Sequence, residues 1–135
     1  MPTNFLALDV GRARIGIALA NDIARIASPL PAIANDETML PALRALIAEY
    51  TATTLVIGLP RCLSGQSTEQ TQYVENFIAD IAKELNTAIV TQDEAVTSVK
   101  AEAELKQRGK PYTKGDIDSL SAVYILEDFL TEGVH

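Results

Sequence analysis

Three acidic residues of this chain stand at positions where a carboxylate is costly unless something pairs with it. Asp9 directly follows the apolar residues 5–8, and Glu94 ends another largely apolar segment. Asp118 lies on a predicted helical face that is apolar four, seven and eleven residues later. The only histidine is His135, so these carboxylates favour a hard cation such as Mg²⁺ or Mn²⁺ over zinc. One such ion, or two about 4 Å apart, would activate water for attack on a phosphoryl group.

Two acidic residues in these segments are weaker candidates when each is considered alone. Asp118 is one turn from the predicted start of its helix, where the macrodipole favours an anion and solvent can reach it. Taken alone, Asp118 is better explained in that way. Asp93 is a weaker candidate than Glu94, because neighbouring strand residues face opposite sides of a sheet. Together, Asp9, Glu94 and Asp118 are predicted to converge at one end of the sheet and to bind a catalytic metal.

Alternating strands and helices must position these carboxylates. Residues 5–8 and 14–20 are predicted to form a hairpin joined by Gly11, Arg12 and Ala13, and the proline-containing residues 25–33 an edge strand or extended segment. Buried strands are predicted at 53–60 and 88–92. Helices are predicted from an N-cap at Asp36 to residue 49, and at 67–85, 97–108 and 115–130. The pattern predicts an α/β fold, a mixed sheet with helices on its faces, and places sites at the carboxyl ends of its parallel strands.

Length and composition limit the class of protein. The 135 residues suit one domain, 1–135, and no apolar run approaches the roughly 20 residues of a membrane span. The single cysteine, Cys62, fits a cytoplasmic protein, and without a histidine as base it is a poor candidate nucleophile. A net charge of −7 argues against coating nucleic acid by bulk electrostatics. Five of the eleven basic residues lie between Lys100 and Lys114, a cluster best explained as a solvated helix face and loop.

Four motifs follow one another along nearly the whole chain. They are "DVGRARIGIA" from Asp9, "VIGLP" with Gly65, "DEAVTS" from Asp93, and "KGDIDSLSAVYILEDFL" from Lys114. In this order and spacing they resemble the YqgF (RuvX) family of RNase H-like proteins, described as Holliday junction resolvases and pre-16S rRNA nucleases. The resemblance implies an RNase H-like mixed sheet, with an N-terminal hairpin, parallel strands and helices on both faces.

The resemblance also implies a metal-dependent nuclease that cleaves phosphodiester bonds in structured RNA, in 5′ maturation of pre-16S ribosomal RNA. Asp9, Glu94 and Asp118 would ligate one or two Mg²⁺ or Mn²⁺ ions, and Arg14 and Lys114 would contact phosphates. Arg12 and Arg61, in or near loops, complete the predicted nucleic-acid-binding set. For Arg14 a solvent-facing hairpin charge is an equally good interpretation. We expect no membrane partner and predict that the protein acts as a monomer or homodimer.

Departures from the family pattern keep other functions open. Ala95 stands where the family usually has an arginine, which would weaken substrate contact without touching the metal ligands. The same fold and carboxylates would serve cleavage of DNA junctions, and weak catalysis would leave a nucleic-acid-binding or assembly protein. An actin-like phosphate binder also opens with a strand and D-x-G, but it needs two such domains, which 135 residues cannot supply.

Overall fold

The computed structural model describes residues 2–61, 66–94 and 98–132. Strands and helices alternate in the predicted order, with the hairpin first and two helices last. The strands are β1 (Asn4–Val10), β2 (Arg14–Asn21), β3 (Ser28–Ala34), β4 (Ala52–Pro60) and β5 (Ala88–Glu94), and the helices are α1 (Met39–Tyr50), α2 (Glu69–Ala82), α3 (Ser98–Arg108) and α4 (Lys114–Thr131).

The five strands form one mixed sheet in the order β3-β2-β1-β4-β5. β2 pairs antiparallel with both β1 and β3, whereas β4 pairs parallel with both β1 and β5. The predicted hairpin and mixed sheet are therefore confirmed. β3 lies at the edge, where Pro29 and Pro31 do not interrupt a central ladder. The parallel strands β1, β4 and β5 all end on the same side of the sheet, so their carboxyl ends lie together.

Each face of the sheet carries its own apolar core. Leu6 and Leu8 of β1 pack with residues of α1 and α2 on one face. Phe5 and Ala7 pack with residues of α3 and α4 on the other face. Because side chains alternate along a strand, Asp9 belongs to the face that α4 covers.

Helix boundaries differ modestly from the predicted ones. The N-cap of α1 is Thr38 and not Asp36, so that prediction is wrong. The carboxylate of Asp36 instead accepts hydrogen bonds from the backbone N–H and hydroxyl of Thr38, which forms a turn before the helix. α2 begins after Thr68, whose hydroxyl accepts from the backbone N–H of Thr71 in a capping box. Among the described residues, no helix is long and apolar enough to cross a membrane.

Candidate active site at the carboxyl end of β1

Asp9 is the penultimate residue of β1 and is partly buried. Beyond it the chain reverses through a tight turn, in which the Gly11 N–H donates to the Arg14 carbonyl at 2.9 Å. A Cβ at Gly11 would lie 2.8 Å from that carbonyl oxygen, so the turn requires glycine. Side chains from two other elements fix the turn. Asn35 donates to the Gly11 carbonyl at 2.7 Å, and Gln70 donates to the Val10 carbonyl at 3.1 Å.

Asp118 reaches the same place because α4 starts against β2. Thr113 caps the helix in a reciprocal capping box with Asp116. Gly16, which pairs with Asp9 across the hairpin, lets the helix approach so closely that a Cβ there would be 2.0 Å from the Asp118 carbonyl oxygen. The Ser119 hydroxyl then accepts from the Ile17 N–H at 3.3 Å and donates to the Leu30 carbonyl at 2.7 Å. The start of α4 is thus tied to two strands beside Asp9.

The pKa of Asp9 is set first by burial and then by the neighbouring carboxylate of Asp118. Burial, and after it the charge of Asp118, raises the pKa of Asp9 from 3.8 to about 7. Asp118 has a counterion of its own, because Arg14 Nε lies 2.8 Å from Asp118 Oδ2. That pair is partly exposed, with side-chain exposures of 39% and 24%. At neutral pH the site therefore resists holding two anions at once.

Glu94 lies on the predicted face of the sheet but contacts a different part of α4. Burial first, and then a hydrogen bond with Asp128 and the charges of Asp128 and Glu132, raise the pKa of Glu94 from 4.5 to about 8, whereas Lys100 opposes the rise. Its Oε1 is buried without a hydrogen-bond partner among the described residues. β5 lies two strands from β1, roughly 10 Å across the sheet, and Glu94 is two residues beyond the register position of Asp9. Asp93 faces the other way and is ion-paired with Arg61.

The structure thus joins two of the three predicted carboxylates and leaves Glu94 apart. Within residues 2–61, 66–94 and 98–132, no group of three or more histidine, cysteine or acidic side chains is close enough to hold a metal ion. The predicted convergence of all three on one cation is not seen here. Asp9 and Asp118 alone still offer what Mg²⁺ requires, since that ion is commonly held by one or two carboxylates and completed by water and phosphate.

The predicted nucleic-acid-binding residues fall into two groups. Arg14 and Arg61 are engaged in ion pairs with Asp118 and Asp93, respectively. Arg12 lies exposed in the turn after β1, with its guanidinium 4.3 Å from the centre of the Tyr73 ring. Lys114 is exposed in the first turn of α4, four residues before Asp118. Arg12 and Lys114 are therefore the better placed for phosphate contacts.

Some positions singled out by sequence lie outside the described residues: Cys62, Gly65, Ala95 and His135. Other residues that shape the site were not recognised in their roles. Gly16 lies where α4 meets β2, and Gly58 plays the same part on β4, where a Cβ would be 2.4 Å from Ile125. Glycines inside buried strands are a signal of close backbone approach that could have located the crossing of α4.

The fold is that of the RNase H-like resolvases. The structure of Thermus thermophilus RuvC in complex with a Holliday junction substrate is similar to this chain, with a TM-score of 0.56 at 11% identity over 97% of this chain and 96% of that one. A resolvase of fowlpox virus with its junction DNA gives a TM-score of 0.54 at 10% identity over 95% and 99%. These likenesses confirm the predicted fold class.

The sequence itself identifies the family. The model of the RuvX family, described as Holliday junction resolvase, matches residues 3–132. The chain belongs to the RuvX family, as its motifs indicated, and thus to a family of nucleases. A protein of Sulfurihydrogenibium sp. named "Putative pre-16S rRNA nuclease" is 38% identical over 130 residues, 95% of this chain and 90% of the relative. An Anaeromyxobacter sp. protein of the same name is 33% identical, with coverages of 97% and 98%.

Proposed function

We propose that this protein is a metal-dependent nuclease that hydrolyses phosphodiester bonds in structured RNA during 5′ maturation of pre-16S ribosomal RNA. The observation that carries the proposal is the pair formed by Asp9 at the end of β1 and Asp118 at the start of α4. The names of the relatives support this choice of substrate. From this proposed substrate we infer that the protein acts in the cytoplasm.

A divalent cation suits this pair for a physical reason. Two carboxylates share a partly buried site, and the raised pKa of Asp9 measures the cost of charging it without a cation. When bound there, Mg²⁺ or Mn²⁺ would supply activation of a water and compensation of charge on the phosphoryl group. Asp9 and Asp118 would hold the ion, with Asp118 kept in place by the hydrogen bond that its Oδ2 accepts from Arg14 Nε. Glu94 would join only after its side chain left Asp128.

The remaining residues bind and orient. Arg14 holds Asp118 through one guanidinium nitrogen and is a positioning residue in this proposal, not a direct phosphate contact. Arg12 and Lys114 would hold phosphates near the carboxylate pair, as cations that set the position of the nucleic-acid strand without reading its sequence. The hydrogen bonds from Asn35 and Gln70 keep the turn that carries Arg12 in place.

A second candidate is cleavage of Holliday junctions in DNA. It is favoured by the description of the family, which names that activity. The two substrates make the same demands on Asp9 and Asp118, so the distinction must come from contacts further along the nucleic acid.

The test is a cleavage assay on precursor 16S RNA carrying its 5′ extension and on four-way junction DNA in parallel. We expect RNA cleavage with Mg²⁺ or Mn²⁺, none with chelator, and loss of cleavage but not of binding in Asp9→Asn and Asp118→Asn. Asp80→Asn, an exposed carboxylate on α2, is the matched control and should cleave like wild type. Lys114→Ala should instead weaken binding and flatten its salt dependence.

Three outcomes would count against the proposal. Activity that survives chelation excludes the metal mechanism. Cleavage of the junction without cleavage of RNA selects the DNA candidate. Equal, feeble cleavage by wild type and Asp9→Asn, with equal binding, leaves an assembly protein.

A further inference from the structure

A cavity of about 420 Å³ lies beside the start of α4, between β3 and the connection from α3 to α4. This volume falls within the range of small-ligand pockets. Apolar side chains form its walls, and a tyrosine and two cations stand at the loop that borders it. The lining includes the apolar, cationic and aromatic residues Leu30, Leu105, Leu120, Arg108, Lys110 and Tyr112.

The turn after α3 builds the cationic side of this cavity. The helix ends at Arg108, and Gly109 has a φ of 71°, a left-handed conformation that favours glycine. The chain then reverses, so that Lys110 and Tyr112 line the same cavity as Arg108. The Tyr112 hydroxyl donates to Glu102 at 3.2 Å, and its ring packs at the edge of the core. The loop is therefore anchored on the protein.

The chemistry of this cavity complements a nucleotide. A nucleobase is a flat, largely apolar group that stacks on aromatic side chains, and its phosphate is an anion. A free phosphate would gain nothing from the leucine walls, and an apolar peptide would gain nothing from Arg108 and Lys110. Arg108 now pairs with Glu104 at 2.7 Å, but an exposed pair of this kind is weak and can exchange for phosphate.

The Ser119 hydroxyl at the cavity is already in use, because it is bonded to Ile17 and Leu30. The Asp116 carboxylate accepts from the Thr113 N–H through Oδ2, and its other oxygen can still accept from the edge of a base. With one acceptor at the rim, the cavity would hold a base mainly by stacking and shape.

The cavity and the candidate active site share the first turns of one helix. Asp116, Ser119 and Leu120 line the cavity, whereas Asp118 points towards Arg14 and β2. A helix with its side chains is about 10–12 Å across. An RNA strand that is cleaved at Asp118 could thus pass over the start of α4 and place a nucleotide in the cavity, a few nucleotides from the scissile phosphate.

We propose that this cavity binds one unpaired nucleotide of the RNA substrate, its base against Tyr112 and the leucine walls and its phosphate towards Arg108 and Lys110. The inference rests on the proposed nuclease function and adds to it a subsite that selects substrates with an unpaired nucleotide near the cleaved bond. Recognition of RNA commonly depends on unpaired bases of this kind.

Binding can be measured in chelator, where the proposed function predicts no cleavage, with a substrate RNA carrying fluorescent 2-aminopurine at single unpaired positions. We expect one position to change emission on binding and an abasic site there to weaken affinity. Tyr112→Ala should weaken affinity between about 5- and 150-fold, whereas Tyr112→Phe, which keeps the ring and loses only the hydrogen bond to Glu102, should weaken it much less. Lys110→Ala should lower the salt slope by about one. Lys106→Ala, exposed on α3 outside the cavity, is the matched control.

The outcomes test the subsite separately from the proposed nuclease function. If wild type cleaves the RNA with metal, yet no position responds and the abasic RNA binds equally well, the subsite is wrong and the nuclease stands. Unchanged affinity in both Tyr112→Ala and Lys110→Ala, with folding verified by circular dichroism, leads to the same conclusion. Failure of wild type to bind RNA at all would overturn both proposals.

Discussion

Replacing Asp9 with asparagine tests the electrostatics of the candidate site in the absence of nucleic acid. Burial and the charge of Asp118 raise the pKa of Asp9 from 3.8 to about 7. Between those values the native state holds a proton that the unfolded chain has released, so stability falls as pH rises, by about 1.4 kcal/mol per unit. Over roughly three units, the metal-free protein loses at most about 4 kcal/mol through this one group.

Asparagine removes that loss because it has no proton to release. We expect the stability difference between Asp9→Asn and wild type to grow in favour of the variant from pH 4 to pH 7, and then to level off. The measurement is urea unfolding followed by circular dichroism in the presence of chelator. For a domain of this size, the full effect corresponds to a shift in Tm on the order of 10 °C.

Asp80→Asn provides the control, because this carboxylate is exposed on α2, on the opposite side of the sheet. Its stability should follow that of wild type at every pH. Curves for Asp9→Asn and wild type that stay parallel from pH 4 to pH 8 would refute the electrostatic reasoning. Asp9 would then be solvated, and the argument for a cation at this place would lose its physical basis.

Three further variants or conditions test the site. Millimolar Mg²⁺ or Mn²⁺ should raise the free energy of unfolding of wild type but not of Asp9→Asn, by about 2.7 kcal/mol at one hundred times the Kd, and the gain should appear as a higher Tm; an unchanged wild-type Tm contradicts a preformed site. Gly16→Ala should destabilise the fold by about 1–3 kcal/mol or more in urea unfolding, because its Cβ would collide with the Asp118 backbone, whereas Gly115→Ala, with ordinary contacts, should not. Arg14→Ala should change stability by less than about 1 kcal/mol yet reduce kcat, and full activity would exclude its positioning role.

Local patterns predicted the elements and the placement of Asp9. Residues 5–8 are apolar at every position and form a central strand buried on both faces. The two prolines near residue 30 indicated an edge strand, which β3 is. Each of these inferences depends on neighbours in sequence, because periodicity and turn chemistry report on local conformation.

Partners that are distant in sequence could not be predicted in this way. Arg14 and Asp118 are separated by 104 positions, and nothing in their local sequences indicates the ion pair. The interaction of Glu94 with Asp128 likewise depends on how α4 crosses the sheet. That crossing is set by contacts at Gly16 and Gly58, and a hydrophobic stripe gives the buried face of a helix but not its direction across the strands.

The net charge of −7 constrains how such a protein could engage nucleic acid. The overall negative charge repels phosphates, so affinity for nucleic acid must come from a few Arg and Lys side chains that lie close together. Arg14 and Arg61 are engaged by carboxylates, whereas Arg12 and Lys114 are at the candidate site and Lys110 is at the neighbouring cavity. With so few phosphate contacts, a long regular duplex would bind little more tightly than any other nucleic acid. Discrimination between substrates would then depend on the unpaired nucleotide that a structured substrate offers for stacking. A divalent metal ion would remove the repulsion between Asp9, Asp118 and the scissile phosphate.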